Sequence, residues 1–263
     1  MNNLIIKAKL VLSALLITLL FFLVGCNQKE EDPSQASIGG DFIVGLTGDY
    51  PPFEFIKNKK IIGFDVDLAY DIANELDKKL YIRDMDFDGL IPALQTGRID
   101  CIISAMTATD ERKKNVDFSI QYYTPEFAML YRRDNPIKEI KDLNNSMIGV
   151  QLGTSMETYL KTQEEDQVQN LDTVSLKNTL TIVQELKLSR LDGALVEEAQ
   201  AKVFVKKHPE LDYALFSGSI MGYSMAFAKN SPLREKVNVA LSKLKNSGTL
   251  ARLQTKWLNG DGQ

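Results

Sequence analysis

One arginine and several hydroxyl-bearing residues follow a strand-like apolar run, and together they could bind a small anion. They occupy Ser104–Arg112 (SAMTATDER). Small and hydroxylic residues leave backbone N–H donors accessible, and the planar arginine fork matches a carboxylate with two hydrogen bonds. The alternative is that Thr109 only caps a short helix while Arg112 pairs on the surface with Asp110 or Glu111.

Three further strand-to-helix junctions carry polar or aromatic residues. The loop Thr47–Phe53 presents Tyr50 either to a ligand or to its own core. The junction Gln151–Ser155 offers free N–H groups and the positive end of a helix dipole to an anion, or is a plain helix cap. Glu197 and Glu198 begin a helix, where both carboxylates could be partners of the dipole, or one could be held toward a cleft.

Composition excludes several other chemistries. The net charge of −4 does not favour nucleic-acid phosphates as a partner, and two cysteines cannot build a disulfide framework or a thiolate zinc site. The single histidine, His208, lies in a Lys-Lys-His-Pro segment that reads as a solvated helix end, so a catalytic triad or a multi-histidine metal site is not expected. No cofactor and no metal are expected. Cys101 lies in an apolar run and is expected to be buried and inert.

Short β-rich runs and amphipathic helices alternate from Asp41 onward, which predicts mainly parallel sheets covered by helices. Asp65 is expected to cap a helix, and Glu54, in Pro-Phe-Glu-Phe, to face solvent. The first unit has predicted strands at 42–46, 53–56, 61–62, 80–82 and 101–104, a helix over 66–76 and a helix over 90–96.

The alternation restarts after the polar stretch Arg132–Asp142. Ser175 is expected to cap a helix that runs to Ser189. The remaining predicted strands are 147–151, 173–174, 193–196, 213–216 and 224–228, and the remaining helices are 155–162, 198–207, 232–246 and 250–258. Two similar units indicate two α/β lobes rather than one eight-stranded barrel, for which the chain is short.

The N-terminus is typical of a bacterial lipoprotein signal. Lys7 and Lys9 precede an uncharged apolar run that is short for a spanning helix. The run ends in Leu-Val-Gly-Cys26, which looks like a lipobox, where the cysteine sulfur carries lipid such as palmitate. The alternative is a plain signal anchor with a bystander cysteine. The polar segment that follows reads as a flexible tether, and the rest of the chain is expected to be soluble.

Several motifs taken together resemble the family of extracytoplasmic amino-acid-binding proteins that feed ABC importers, solute-binding family 3. They are Val44–Phe55 (VGLTGDYPPFEF), Gly63–Leu68 (GFDVDL), Phe87–Gly97 (FDGLIPALQTG) and Ile102–Ser119 (IISAMTATDERKKNVDFS). The Thr-x-Thr-x-Glu-Arg block is the most specific of them, and the resemblance runs from about Phe42 to Leu258. It implies two lobes, joined by two crossing strands, that close around one amino acid in a periplasmic-binding-protein (Venus flytrap) fold.

The resemblance also implies roles for individual residues. Arg112 would hold the ligand α-carboxylate, assisted by backbone N–H groups of Thr107 and of Ser155 or Thr154. Glu197 would pair with the α-ammonium. The remaining contacts would be the Ala105 carbonyl and Thr107 hydroxyl at the ammonium, Tyr50 and Phe87 around the ligand side chain, and Thr47, Ser104 and Gln151 along its pocket.

This chain departs from the usual family pattern at several of these positions. Many members have Gly at the position of Ala105, Asp at that of Glu197, and Ser or a basic residue at that of Gln151. Some binders of basic amino acids carry an acid near the position of Lys60, and its absence here argues against the same mode of binding. Arginine binders in the family use an aromatic sandwich with Glu at the ammonium position, so a polar or basic amino acid, with arginine as one candidate, is the expected ligand.

The expected organisation follows from the resemblance. Residues 1–25 form the signal peptide and 26–40 a lipidated tether, 41–125 with 226–263 form lobe 1, and 126–225 form lobe 2 with a hinge strand at each end. The protein is expected to be a monomer, bound by its lipid to a bacterial membrane in the periplasm or at the cell surface. Its partner would be an ABC transporter permease.

Two other functions remain as alternatives. Some prephenate- or arogenate-type dehydratases resemble the family, and such an enzyme could use Glu197 or Glu54 as its acid, although no histidine or metal cluster accompanies them. A ligand-sensing lipoprotein would use the same lobes, but such chains usually carry a further spanning helix or a cytoplasmic domain. Neither follows in this sequence.

Overall fold

A computed structural model describes residues 40–166, 168–216 and 221–258 of the chain. The predicted signal peptide, Cys26 and all of the predicted tether except Gly40 lie outside the described residues. Within the described ranges, no helix combines the length and the apolar character needed to cross a bilayer.

The first sheet has five strands, which are β1 (Asp41–Leu46), β5 (Lys79–Asp84), β6 (Cys101–Ile102), β7 (Asp117–Phe118) and β13 (Ala226–Phe227). Their order in the sheet is β5-β1-β6-β13-β7. Strand β1 lies between β5 and β6 and is parallel to both, whereas β13 is antiparallel to β6 and β7.

The second sheet repeats this arrangement with β8 (Phe127–Arg132), β9 (Met147–Gln151), β10 (Asp172–Leu176), β11 (Gly193–Glu197) and β12 (Leu211–Phe216). Their order in the sheet is β10-β9-β11-β8-β12. Strand β9 is parallel to β10 and β11, and β8 is antiparallel to β11 and β12. A small antiparallel sheet holds β2 (Asp49–Tyr50), β3 (Glu54–Lys57) and β4 (Lys60–Ile62), of which β3 and β4 lie close to the strands predicted at 53–56 and 61–62.

Both five-stranded sheets are mixed, with two parallel and two antiparallel pairs each, rather than mainly parallel. Parallel neighbours need a crossover connection, usually a helix, whereas residues 119–126 join β7 to β8 without one. These residues form the first connecting segment, and residues 221–225, which lead into β13, form the second. We call the part that carries the first sheet lobe 1 and the part that carries the second lobe 2. The two connecting segments meet in an antiparallel bridge between Tyr123 and Tyr223.

Helices cover both sheets at positions close to those predicted. The first lobe has α1 (Phe64–Glu75), α2 (Leu90–Gln95), α3 (Asp110–Asn115), α7 (Leu233–Asn246) and α8 (Thr249–Leu258), and the second has α4 (Ser155–Asp166), α5 (Thr179–Lys187) and α6 (Glu198–Lys207). Thr109 caps α3 as predicted, by accepting a hydrogen bond from the Arg112 N–H.

Two predicted helix caps are wrong. Gly63, not Asp65, is the N-cap of α1, and its φ of +142° together with the close approach of the Phe53 carbonyl leaves no room for a side chain. Ser175 belongs to β10, where its hydroxyl donates to Glu157 Oε1 at 2.8 Å, and Asn178 caps α5 instead. In both cases the side chain that was expected to cap the helix forms hydrogen bonds with another part of the fold instead.

Three further expectations concern where Cys101, His208 and Glu54 lie relative to the core and the surface. Cys101 is completely buried, as expected, and burial raises the pKa of its thiol well above the usual value. His208 lies at the C-cap of α6, as predicted. Glu54 is the exception, because it is completely buried rather than solvent-facing.

Candidate ligand-binding site

A pocket lies between the two lobes. Lobe 1 contributes residues from the segments that follow β1, β5 and β6, and lobe 2 contributes residues from the junction of β9 and α4. The lining residues are Tyr50, Phe87, Ser104, Ala105, Thr107, Arg112, Gln151, Thr154, Ser155, Met156 and Tyr223. Nine of the eleven residues selected from the sequence therefore lie around one pocket.

Arg112 is the charged residue that enters this pocket from lobe 1. Its Nη1 donates to the carbonyl and the hydroxyl of Thr107 at 2.9 and 2.8 Å, and its Nη2 donates to the Gly153 carbonyl of lobe 2 at 2.8 Å. The side chain lies over the Phe87 ring, 5.3 Å from its centroid. Burial lowers the pKa of the guanidinium to about 10, so the group is still positively charged at neutral pH.

The surface pairing that the sequence left open for Arg112 does not occur. Asp110 binds Lys113 and Glu111 binds Lys114, each at 2.9 Å on the exposed face of α3. No carboxylate in the described ranges forms an ion pair with Arg112. A buried cation without an anionic partner is costly, so an incoming carboxylate would relieve that cost.

The loop after β6 presents small groups beside Arg112. The Ser104 hydroxyl donates to Glu54 Oε1 at 2.7 Å and accepts from the Thr47 N–H at 3.2 Å. Ala105 has a φ of +42°, which an L-residue rarely adopts, and its N–H donates to Asp65 Oδ2 at 2.6 Å. This loop is therefore held from behind by two acids of lobe 1.

The lobe 2 side of the pocket begins where β9 leads into α4. The Thr154 hydroxyl donates to the Gln151 carbonyl at 2.7 Å and accepts from the Glu157 N–H at 3.3 Å, so Thr154 acts as a helix cap and lines the pocket as well. Gln151 donates from its amide nitrogen to the Lys177 carbonyl at 3.2 Å. Its Oε1 is buried and has no hydrogen-bond partner among the described residues. That oxygen is available to accept a hydrogen bond from a ligand.

Tyr50 and Phe87 supply aromatic surface to the pocket. Tyr50 is 5% exposed and packs against Phe53, with the ring centroids 6.0 Å apart. The two readings of this loop therefore both hold, since Tyr50 belongs to the lobe's own core and also faces the pocket.

Thr47 and Glu197 do not line the pocket. Thr47 lies behind it, where its hydroxyl donates to Asp49 Oδ1 at 2.7 Å. Glu197 ends β11 and caps α6, and its Oε2 accepts from the Ala199 N–H at 2.6 Å while its Oε1 accepts from the Tyr123 hydroxyl at 3.0 Å. Burial raises the pKa of the Glu197 carboxyl to about 7, because desolvation outweighs these hydrogen bonds.

Met156 and Tyr223 line the pocket but were not selected from the sequence. Met156 directly follows Thr154 and Ser155 at the start of a predicted helix, so the sequence could have indicated that it lies near the site. Tyr223 lies in the second connecting segment, where it forms bridges with Thr107 and Tyr123. No motif marks Tyr223, and only the tertiary structure brings it to the pocket.

Among the described residues, three polar contacts join the lobes beside the pocket. Besides the bond from Arg112 to Gly153, the Thr179 N–H at the start of α5 donates to Asp49 Oδ2 at 3.0 Å. At the exposed rim, Lys177 forms an ion pair with Asp86 at 2.8 Å. Both lobes thus contribute to the pocket and to the contacts that surround it.

Comparisons with known proteins agree with this architecture. The profile of the bacterial extracellular solute-binding proteins, family 3, matches residues 42–260. The arginine-binding extracellular protein ArtP of Bacillus subtilis (strain 168) is 36% identical over 222 residues, which cover 83% of this chain and 86% of ArtP.

Two solved structures of an ancestral arginine-binding protein show the same fold. One is bound to arginine and has a TM-score of 0.79 with 39% identity, and the other is bound to glutamine and has a TM-score of 0.79 with 38% identity. Each comparison covers 84% of this chain and 99% of the solved one. The family consists of solute-binding proteins and not of enzymes, which argues against the dehydratase alternative. With two lobes around one pocket and a match over nearly the whole described chain, this protein belongs to the bacterial extracellular solute-binding proteins, family 3.

Proposed function

We propose that the pocket binds one free amino acid and that the protein delivers it to an ABC transporter permease. The observation that carries this proposal is the Arg112 guanidinium. It is buried between the lobes, faces the pocket, and has no carboxylate partner among the described residues. A ligand carboxylate would supply the missing negative charge with a bidentate geometry.

The two ends of the ligand would be held by different lobes. Arg112 and the Thr107 N–H of lobe 1 would bind the α-carboxylate, with the N–H of Ser155 or Thr154 assisting from lobe 2. Glu197 of lobe 2 would pair with the α-ammonium, helped by the Ala105 carbonyl and the Thr107 hydroxyl. Contacts from both sides favour the closed arrangement, because a ligand shifts a conformational equilibrium only through different affinities for its two states.

Glu197 would reach the ammonium from just outside the pocket lining. Its Oε1 is already held by Tyr123, which lies on the connecting segment between the lobes. A positive charge nearby would favour the ionised carboxylate over the neutral acid.

The ligand side chain would lie between Tyr50 and Phe87 and end near Gln151. The free Oε1 of Gln151 is an acceptor, so it favours a side chain that ends in N–H groups, as those of arginine and glutamine do. Ser104 would line the same region, and Thr47 would support it from behind. The relatives that bind arginine or glutamine make L-arginine the first candidate and L-glutamine the second.

The decisive experiment is native mass spectrometry of the full-length protein purified in detergent, followed by calorimetry with the common L-amino acids. We expect one bound amino acid per chain and the tightest binding for L-arginine or L-glutamine. Binding of neither, with another amino acid preferred, would refute the assignment of the side chain. Absence of binding to any amino acid would refute the function itself.

We further propose that residues 1–25 are removed and that Cys26 carries the lipid that anchors a monomeric protein to the membrane. Intact-mass measurement of the membrane fraction should show a chain that begins at Cys26 and carries fatty acyl groups. Replacement of Cys26 by Ser should release the protein from the membrane fraction. A variant that stays in that fraction would favour an uncleaved signal anchor.

A further inference from the structure

Two carboxylic acids, Glu54 and Asp65, lie directly behind the pocket. Glu54 is the first residue of β3 and Asp65 the second residue of α1, and both are completely buried. Neither belongs to the pocket lining or to the set of residues proposed to bind the ligand.

Each acid holds a different group of the pocket. Glu54 Oε1 accepts from the Ser104 hydroxyl at 2.7 Å, and Asp65 Oδ2 accepts from the Ala105 N–H at 2.6 Å. Asp65 Oδ2 also accepts from the hydroxyl of Tyr122, in the first connecting segment, at 2.9 Å. The pair therefore links the pocket loop to a segment that joins the lobes.

The remaining oxygen of each acid has no other partner. Glu54 Oε2 and Asp65 Oδ1 are buried and accept nothing from any other described group. The two acids bind the adjacent residues Ser104 and Ala105, so their carboxyl groups lie near each other. Two ionised carboxylates close together and out of water would repel each other strongly, whereas one proton between them would make one acid a donor to the other.

Among the residues that the structure describes, no positive charge lies beside the pair to replace this proton. The groups that face the pair are Ser104, Ala105, the phenols of Tyr50 and Tyr122, and Asp49, the last of which is another acid. Cys101 also acts on Tyr122, and burial keeps its thiol protonated. In the described part of the chain, no lysine, arginine or histidine forms a hydrogen bond or an ion pair with either acid.

We propose that Glu54 and Asp65 share one proton and that this protonated pair positions Ser104 and Ala105 in the pocket. The inference rests on the proposed function for its effect on ligand binding, but the proton itself can be tested without a ligand. Glu54 is the acid that carries the proton, because Asp65 accepts two hydrogen bonds through Oδ2 and Glu54 accepts only one. Both acids are positioning residues, since neither reaches the pocket.

Glutamine at position 54 imitates the protonated acid. Its oxygen can accept from Ser104 and its nitrogen can donate to Asp65, so Glu54→Gln should retain the geometry without a removable proton. Glu54→Leu has a similar volume but neither polar group. Asp65→Asn would keep the acceptor for Ala105 and move the charge to Glu54.

The first measurement is the unfolding equilibrium constant in urea between about pH 6 and 9. A native state that retains a proton lost on unfolding makes that constant rise roughly tenfold per pH unit for each such proton. We expect a steeper rise for the wild type than for Glu54→Gln. Equal slopes would overturn the shared proton.

The second measurement is amide hydrogen exchange at Ala105, corrected for the intrinsic dependence of exchange on pH. Protection should fall in the wild type as the pair loses its proton and should persist in Glu54→Gln. Unchanged protection in both proteins would overturn the positioning role. Because this experiment compares only the wild type with Glu54→Gln, it tests the positioning role even if Glu54→Leu does not fold.

The third measurement is the affinity for L-arginine over the same pH range. The titration of the ligand and of Glu197 affects both proteins alike. The ratio of the wild-type to the Glu54→Gln dissociation constant therefore isolates the effect of the Glu54–Asp65 pair on binding. We expect the ratio to rise at alkaline pH and Glu54→Leu to bind at least about tenfold more weakly. A constant ratio would overturn the effect on binding.

A wild type that does not bind L-arginine would count against the proposed ligand. The urea unfolding and hydrogen-exchange measurements need no ligand, so they would still test the shared proton and the positioning role.

Discussion

Asp49 of lobe 1 and Thr179 of lobe 2 are joined by a buried hydrogen bond, in which the Thr179 N–H donates to Asp49 Oδ2 at 3.0 Å. Thr179 is the first residue of α5, so the carboxylate also lies at the positive end of that helix. The bond exists only while the lobes are together, and it therefore favours the closed arrangement without contacting a ligand.

Replacing Asp49 by Ala should weaken ligand binding. A hydrogen bond to a charged group contributes about 1.5–3 kcal/mol, so the dissociation constant of L-arginine should rise about tenfold or more, mainly through faster dissociation. Asp86→Ala is the matched control, because it removes the exposed ion pair with Lys177, and such pairs contribute about 0–1 kcal/mol. Equal effects of the two substitutions in stopped-flow measurements would contradict a special role for Asp49.

Replacing Arg112 by Ala should abolish tight binding. The ligand carboxylate and Glu197 would lose their balancing charge, at a cost of roughly 3–5 kcal/mol. Arg112→Lys should retain part of the affinity, because lysine supplies the charge without the bidentate fork. Arg252→Ala, on the exposed surface of α8, is the control. Near-native calorimetric affinity in Arg112→Ala would refute the carboxylate assignment.

Replacing Tyr50 by Ala should reduce selectivity among amino acids more than it reduces stability. The ring is buried against Phe53 and faces the pocket, so its loss would remove one wall around the ligand side chain. Tyr70→Ala is the control, since that side chain is 53% exposed on α1. Relative affinities across a panel of amino acids should change only for Tyr50→Ala, and an unchanged ranking would count against the aromatic sandwich.

The raised pKa of Glu197 predicts two opposite pH dependences. In the ligand-free protein the carboxyl titrates near pH 7 instead of 4.5, so the native state holds a proton that the unfolded state has lost. The stability that this group contributes is therefore complete below about pH 4.5 and is lost as the pH rises toward 7, by roughly 3 kcal/mol. Binding of an ammonium group requires the ionised form, so affinity should increase over the same range.

Glu197→Gln should make unfolding less dependent on pH, with the contribution of the Glu54–Asp65 pair remaining, and should reduce the increase in affinity. Urea unfolding and calorimetry with L-arginine at pH 5.5 and 8 would measure them. If the variant keeps the pH dependence of the wild type, Glu197 is not the titrating group.

The order of elements was predictable because it depends on local patterns. Apolar residues at helical spacing predicted α1, and the Glu198–Lys207 helix has the predicted ends. The position of Arg112 after a buried strand was also a local feature. The removal of the signal peptide and the lipid on Cys26 stay predictions, because those residues lie outside the described ranges.

Tertiary contacts decided what the local patterns could not. The sequence pattern placed Glu54 toward solvent. In the structure, α1 and the loop after β6 bring Asp65 and Ser104 against it, and burial raises the pKa of its carboxyl well above the usual value. Tyr223 reaches the pocket only because the second connecting segment passes beside the first. The sequence by itself determined which residue types could bind a dipolar molecule and in which order their elements follow. Only the folded chain decided which of them face one another, because burial and pairing depend on residues that are distant along the chain.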